Sequence, residues 1–380
     1  MSLLLLDESA LSRAGALHTA REIAQQPQCW LRTESLVTQR RSRIDEFLAP
    51  VLARPDLRII LTGAGSSSFI GQSLAPVLLQ RSGRRVEAIA TTDLLAAPRL
   101  YLQRDVPTLL VSFGRSGNSP ESAAVVDLAD TLVSQCHHLI LTCNESGTLY
   151  QRFRRRGNAL VFLMPPETHD ESFVMTSSFT SMLLAALLIL APTDTAATVA
   201  GSGQILLEQL AVPIRELASR DFSRVVYLGS GCLSGMAREA ALKLLEMTDG
   251  KVVAISDSPL GFRHGPKAII NGDTLVFVFI SNDRNTRQYD LDLLRELRTD
   301  GRAGRVVAIA AQSPHTVVEG EVLAIEGPDS IDDAALLFPY IVCAQLYGFY
   351  RALALGNSPD EPIDSGTVNR VVRGVTIHPL

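Results

Sequence analysis

The chain has 380 residues, 46% of them hydrophobic and 20% charged, with a formal net charge of −5. At about 100–200 residues per domain this is roughly two domains, each long enough for a substantial core. The acidic balance removes the basic footprint that nucleic acid or an anionic membrane surface requires, so neither is an expected partner and any bound anion has to be held by local groups.

The N-terminus offers only Leu3 to Leu6 before Asp7 and Glu8. It lacks a basic n-region and a long apolar stretch, so export is not expected. Residues 1–49 read as a charged helical arm. Leu57 to Thr62 then form an apolar run ending in Gly63-Ala64-Gly65-Ser66-Ser67-Ser68, followed by a helical stretch from Ile70 to Leu79. Thr108 to Ser112 run into a second turn, Phe113-Gly114-Arg115-Ser116-Gly117-Asn118-Ser119-Pro120-Glu121, with helical Ser122 to Leu132 and apolar Leu139 to Thr142 behind it. Met182 to Ala191 are too short for the ~20 residues that span a bilayer and read as a buried helix.

The pattern then repeats. Arg224 to Leu228 lead into Gly229-Ser230-Gly231, helical Ser234 to Met247 follow, and Thr274 to Val278 and Val306 to Ile309 are further apolar runs. From Gly63 to Gly229 the offset is 166 residues, from Thr108 to Thr274 again 166, and from Leu139 to Val306 it is 167. Such a constant spacing marks an internal repeat. Short, nearly continuous apolar runs suit parallel strands buried on both faces, and their alternation with helices implies right-handed βαβ units. The expected fold class is α/β: two similar three-layer α/β/α domains with mostly parallel sheets, at 50–205 and 206–352. A tail over 353–380 is expected to pack back across the body.

Both serine-rich turns sit where a buried strand gives way to a helix, the place where backbone N–H groups and the helix dipole suit an anion. Gly114 and Gly117 let the backbone approach a ligand, and Ser116 and Ser119 add hydroxyls to a nest of amides. The competing reading is two ordinary helix starts, with glycine for positive φ, serine as N-cap and Pro120 at N1. A dinucleotide fingerprint fits poorly, because Ser68 stands where the third small residue belongs. In the second repeat Ser281-Asn282-Asp283-Arg284-Asn285 brings a carboxylate where an anion would bind, so that turn is expected to be inactive.

The second half instead offers Glu239, Lys243 and Glu246 on one helix face. Glu239 and Lys243 read as a salt bridge. Glu246, among Leu244, Leu245 and Met247, is the candidate proton-transfer group. His264, in Gly261-Phe262-Arg263-His264-Gly265-Pro266-Lys267, is either a polar loop residue or a proton carrier. Thr176 and Ser177, together with Ser66, read as pocket lining. The scattered cysteines Cys29, Cys136, Cys143, Cys232 and Cys343 lack CxxC spacing, and His137 and His138 are adjacent. Neither a disulfide framework nor a metal site is expected, and a reducing cytoplasm fits.

Taken in order, Thr62-Gly-Ala-Gly-Ser-Ser67, Ser112-Phe-Gly-Arg-Ser-Gly-Asn-Ser119, Ala241-Leu-Lys-Leu-Leu-Glu246 and His264-Gly-Pro266 resemble the sugar isomerase (SIS) domain family. Pro166-Glu-Thr-His-Asp170, Gly261 to Lys267 and Ser365-Gly-Thr-Val-Asn-Arg-Val-Val-Arg373 extend the resemblance over nearly the whole chain, to the group named tagatose-6-phosphate ketose/aldose isomerase or galactosamine-6-phosphate deaminase/isomerase. The resemblance implies conversion of D-galactosamine 6-phosphate and water to tagatose 6-phosphate and ammonium, with no cofactor. Simple ketose/aldose isomerisation, glucosamine-6-phosphate deamination and a non-catalytic sugar-phosphate sensor are the alternatives.

By similarity to the isomerase domain of glucosamine-6-phosphate synthase, Ser67, Ser116 and Ser119, with the Gly114 and Arg115 amides, hold the phosphate. Glu246 is then the base between carbons 1 and 2, and His264 opens the ring, reaching into the neighbouring subunit's site. A homodimer is therefore implied, with pairing into a tetramer left open. Three positions depart from the synthase pattern: Arg115 replaces glutamine, Gly261 replaces glutamate, and Arg373, lining the sugar site, replaces a lysine.

Overall fold

The computed structural model describes residues 2–311, 318–326, 331–363, 365–372 and 374–379. Two five-stranded sheets carry the molecule, and each lies in its own compact unit.

In the first-sheet unit the strands lie side by side in the order Arg85–Ala88, Arg58–Thr62, Thr108–Gly114, Cys136–Thr142, Ala159–Leu163, all parallel. Arg58 pairs with Thr108 and Thr62 with Ser112, so the two serine-rich turns leave the sheet at the same end. The central strands contain the expected apolar runs: Ile60, Leu110, Val111, Leu139 and Ile140 have no exposed surface. Each fully buried aliphatic side chain of this kind contributes about 1.5–3 kcal/mol. Helices Ser66–Ser82 and Pro120–Leu132 follow the first and second of these strands in the sequence. Ile60, Leu110, Val125 and Ala129 form one core, and Val126, Ile140, Leu149 and Phe153 another. The apolar Ser177–Leu190 helix is buried along nearly its whole length.

The second-sheet unit repeats this topology: Val253–Asp257, Arg224–Leu228, Thr274–Phe279, Arg305–Ala311, Val322–Ile325, again all parallel. Leu293, Leu294 and Leu297 of helix Arg284–Asp300 cover one face, against Val276 and Val278. An aromatic column formed by Tyr227 against Phe277, Phe277 against Tyr347 and Phe279 against Tyr340 fills another part of the interior, with ring centroids 5.2, 5.1 and 5.6 Å apart. Tyr347 and Tyr340 lie on Asp333–Ala354, a 22-residue helix whose length and composition would suit a membrane span, yet 94% of its most apolar window is buried in the protein.

The units are not cut at one point in the sequence. The first-sheet unit comprises Gln28–Asp170, Ser177–Thr193 and Ser365–Leu380, and the second-sheet unit Met1–Pro27, Glu171–Thr176 and Asp194–Asp364. The start of the arm is thus part of the second-sheet unit. There Thr19 donates through N and Oγ1 to Asp360 at 2.8 and 2.7 Å, Glu22 accepts from the Glu171 and Ser172 amides, and Gln26 donates to Gln345 at 2.7 Å.

Candidate active site

The order of the first sheet reverses direction between Arg58–Thr62 and Thr108–Gly114, and ligands of open α/β sheets bind at such a reversal, beyond the carboxyl ends of the strands. Both serine-rich turns stand there. Gly63 is required by close approach, since a Cβ would lie 2.5 Å from the Ser67 carbonyl carbon, and Gly65 has φ +57°. Helix Ser66–Ser82 begins at Gly65 without a side-chain cap. Helix Pro120–Leu132 begins at Ser119, whose hydroxyl makes no capping bond either. Two helix starts therefore stand at the same end of the sheet without side-chain caps, the second lacking an N–H at its first position because that residue is Pro120, an arrangement suited to a phosphate. The second turn is held from behind: Asn144 Nδ2 donates to the Ser116 carbonyl at 2.9 Å, and the Thr148 amide to Asn118 Oδ1 at 2.9 Å. Ser67 is buried, Ser116 and Ser119 are half-buried, and Ser116 Oγ accepts from the Asn118 amide at 3.3 Å.

The corresponding place in the second sheet is filled by the protein's own carboxylates. Asp290, without exposed surface, accepts from the Ser281 amide at 3.0 Å and from Ser230 Oγ at 2.5 Å. Asp333 accepts from the Asn282 amide at 2.6 Å and Ser281 Oγ at 2.5 Å. Asp283 caps helix Arg284–Asp300 through the Thr286 amide at 2.8 Å. Donors that could cradle an anion are thus already committed. Burial pushes the Asp290 carboxyl up to about 6 despite its two hydrogen bonds, and also raises Asp333.

Helix Cys232–Met247 in this unit carries the expected acidic face. Lys243, 1% exposed, lies 3.6 Å from Glu239 and donates directly to Glu246. Glu246 keeps 22% of its side chain exposed, so it is neither an isolated carboxylate among leucines nor sealed from a ligand. Sequence reasoning paired Lys243 with Glu239 alone; the i,i+3 spacing to Glu246 was the signal for this second partner. His264 is exposed and its imidazole makes no hydrogen bond or ion pair among the described residues. Its loop is shaped by Gly265, at φ +126°. A Cβ at Gly261 would lie 2.6 Å from Asp257 Oδ1 and 2.8 Å from Ser258 Oγ, so those two side chains would have to shift to admit a larger residue.

Thr176 and Ser177 are wholly buried. The Ser177 and Ser178 hydroxyls and the Ser178 amide donate to Asp170, at the start of the apolar helix. Arg115, 5% exposed, extends its guanidinium to the Arg370 carbonyl at 3.3 Å, and Arg370 donates to the Asp170 carbonyl. The tail is therefore tied to the turn that holds Ser116. Arg373 lies outside the described residues.

All five cysteines are buried thiols; burial pushes Cys136 and Cys143 up to about 12. Asp130, Cys136 and His138 bring potential ligand atoms within 4.8 Å of one another. However, Asp130 is engaged by His138 and Asn158 at 2.8 and 2.9 Å and by Arg156 at 2.7 Å, the pattern of an ion-paired network.

Comparison with known proteins places these features in a family. The SIS domain matches residues 52–192 and 217–347. The chain is 48% identical over 366 residues to D-galactosamine-6-phosphate deaminase AgaS of Escherichia coli, covering 95% of each. It is 45% identical over 382 residues to D-galactosamine-6-phosphate deaminase AgaS of Shewanella sp. (strain ANA-3), covering 99% of this chain and 96% of that one. The crystal structure of tagatose-6-phosphate ketose/aldose isomerase from Escherichia coli is similar with a TM-score of 0.90 at 46% identity, over 95% of this chain and 96% of that chain. With two tandem matches that together span most of its length, the chain belongs to the SIS domain family.

Proposed function

We propose that the chain converts D-galactosamine 6-phosphate and water to tagatose 6-phosphate and ammonium, as a step of amino-sugar catabolism. The near-full-length identity to two proteins named D-galactosamine-6-phosphate deaminase carries this reading. The uncapped, serine-rich helix starts of the first sheet support the phosphate half of it, and the half-open Glu246, partnered by Lys243, supports the proton-transfer half.

Ser67, Ser116 and Ser119, with the amides of Gly114 and Arg115, hold the 6-phosphate, while Ser66 and Arg373 line the sugar. His264 assists ring opening. Glu246 takes the proton from carbon 2 of the open-chain aldehyde, giving an enolamine, and returns it to carbon 1. The product is a 2-imine, which water hydrolyses to the ketose and ammonia, released as ammonium. One carboxylate serves both carbons when they present the same face of the planar intermediate. No metal or nucleotide takes part in these steps. The protein works in the cytoplasm as a homodimer in which His264 serves the neighbouring subunit's site; sedimentation at twice the chain mass tests the dimer.

A second reading has its own support, since the similar Escherichia coli structure is named a tagatose-6-phosphate ketose/aldose isomerase. With a hydroxyl in place of the amine at carbon 2, the same proton shuttle interconverts aldose and ketose without ammonia. Incubation with galactosamine 6-phosphate, glucosamine 6-phosphate and tagatose 6-phosphate in parallel separates the two. Ammonium from galactosamine 6-phosphate is the expected result; an aldose phosphate from tagatose 6-phosphate with no ammonium from either amino sugar would establish the isomerase instead.

A further inference from the structure

Among the described residues His264 has no side-chain partner, so its position depends on the loop that carries it. That loop is gripped on both sides by a single carboxylate. Arg263, immediately before His264, donates Nε to Glu296 Oε2 at 2.8 Å, and Lys267, three residues after it, donates Nζ to Glu296 Oε1. Lys267 also meets Asp300 at 2.5 Å. Both acids lie on helix Arg284–Asp300, one turn apart, and that helix is anchored in the core through Leu293, Leu294 and Leu297.

Between the two basic residues lie Gly265 at φ +126° and Pro266, which restrict the backbone; the loop's own backbone bonds, His264 N to Gly261 O at 2.9 Å and Ala268 N to Gly265 O at 3.0 Å, hold its shape without tying it to helix Arg284–Asp300. The hydrogen bond from Lys267 is the main reason that the Glu296 carboxyl lies below its usual range; burial opposes it, and the hydrogen bond from Arg263 adds to it. Each ion pair is partly exposed and worth little to global stability. Two of them on one acceptor, flanking one histidine, set a position instead.

We infer that Glu296 is a positioning residue for His264: its carboxylate, bridging Arg263 and Lys267, holds the imidazole where it meets the sugar ring. This rests on the proposed role of His264 in the reaction. Glu296→Gln keeps size and one acceptor while losing the charge that binds both cations. Displacement of a catalytic group by about 1 Å can cost up to ~100-fold, so a fall in kcat of about tenfold with KM little changed is expected, measured as ammonium release from galactosamine 6-phosphate.

The same substitution made in a His264→Asn background is expected to cost nothing further. An equal loss in both backgrounds, or no loss in either, overturns the inference. Selectively 15N-labelled histidine gives an independent readout, with the His264 signals identified by their disappearance in His264→Asn. Glu296→Gln is expected to shift and broaden them, and unchanged signals overturn the clamp even if activity falls. Shifted signals with full activity in both single variants would contradict the role of His264 itself, and the catalytic meaning of the clamp with it.

Discussion

Ser119 is of a type that normally caps a helix, sits at the N-cap position with Pro120 behind it, and makes no capping bond. The sequence left open whether this serine serves the helix or a ligand, since both need the same residue in the same place. The hydroxyl, uncommitted among the described residues, favours the ligand. A hydrogen bond to a charged group is worth about 1.5–3 kcal/mol, so Ser119→Ala is expected to raise KM for the sugar phosphate by about 10- to 100-fold with kcat nearly intact. A fall in kcat alone would point to a different role.

Asp290 and Asp333 show what the sequence did not give away. Asp283 was visible as a charge in the wrong place for phosphate, but Asp290 lies a further two turns along, and nothing in its spacing says that it folds back on Ser230 and Ser281. Its carboxyl, raised to about 6 by burial, gives a pH test. A group whose folded pKa lies above its unfolded value near 3.8 contributes stability fully below that value and loses it as pH rises through about 6. At pH 7.5 the ionised form is the costly one. Asp290→Asn can accept from the Ser281 amide and donate to Ser230. It is expected to be more stable than the parent at pH 7.5, by on the order of 2–3 kcal/mol, with the difference shrinking as pH falls toward 4. Thermal unfolding of the two proteins across that range reads the effect; a difference that grows on acidification would contradict it.

Among the secondary-structure elements, the six central strands read from the sequence lie in the two sheets, because a strand buried on both faces is an unbroken apolar run. Of the four edge strands, Ala159–Leu163 and Val322–Ile325 are also apolar runs in the sequence, but the other two were not legible. Arg85–Ala88 places Arg85 and Glu87 on one face, and Val253–Asp257 ends in Ser256 and Asp257, so neither forms such a run. Helix Ser177–Leu190 was legible as buried, but uniform apolarity carries no face, so its cap on Asp170 had no sequence signature.

The glycine turns were legible as turns, and the geometry now separates them. Gly65→Ala meets no atom within 4 Å but forces a side chain into φ +57°, whereas Gly63→Ala drives a Cβ to 2.5 Å from the Ser67 carbonyl carbon. The first is expected to cost about 1–2 kcal/mol of stability, and the second more, with displacement of the cradle. Denaturant unfolding and KM measured together check the order: Gly65→Ala should keep the fold and lose modestly in KM, and Gly63→Ala should lose in both. Equal effects would contradict this account of the turn.

For the molecule as a whole, the constant offset of about 166 residues gave two sheets of like topology. The passage of Met1–Pro27 and Glu171–Thr176 into the second-sheet unit depends on single contacts such as Thr19 to Asp360 and Glu22 to Ser172, which no periodicity encodes. Duplication would suggest two sugar-phosphate sites per chain. The carboxylate-filled second cradle predicts one, so calorimetric titration of the Glu246→Gln variant with galactosamine 6-phosphate should give a stoichiometry near one per chain; two would show that Asp290 and Asp333 do not close the second cradle.

The most direct test of the central claim is the ratio of ammonium to tagatose 6-phosphate formed from galactosamine 6-phosphate, measured for the parent protein and for Glu246→Gln. Equimolar products from the parent, and a loss of at least ~100-fold in both products for the variant, are predicted. Ketose phosphate without ammonium, or a Glu246→Gln variant that still releases both at the parent rate, would contradict a deaminating isomerase built on this carboxylate.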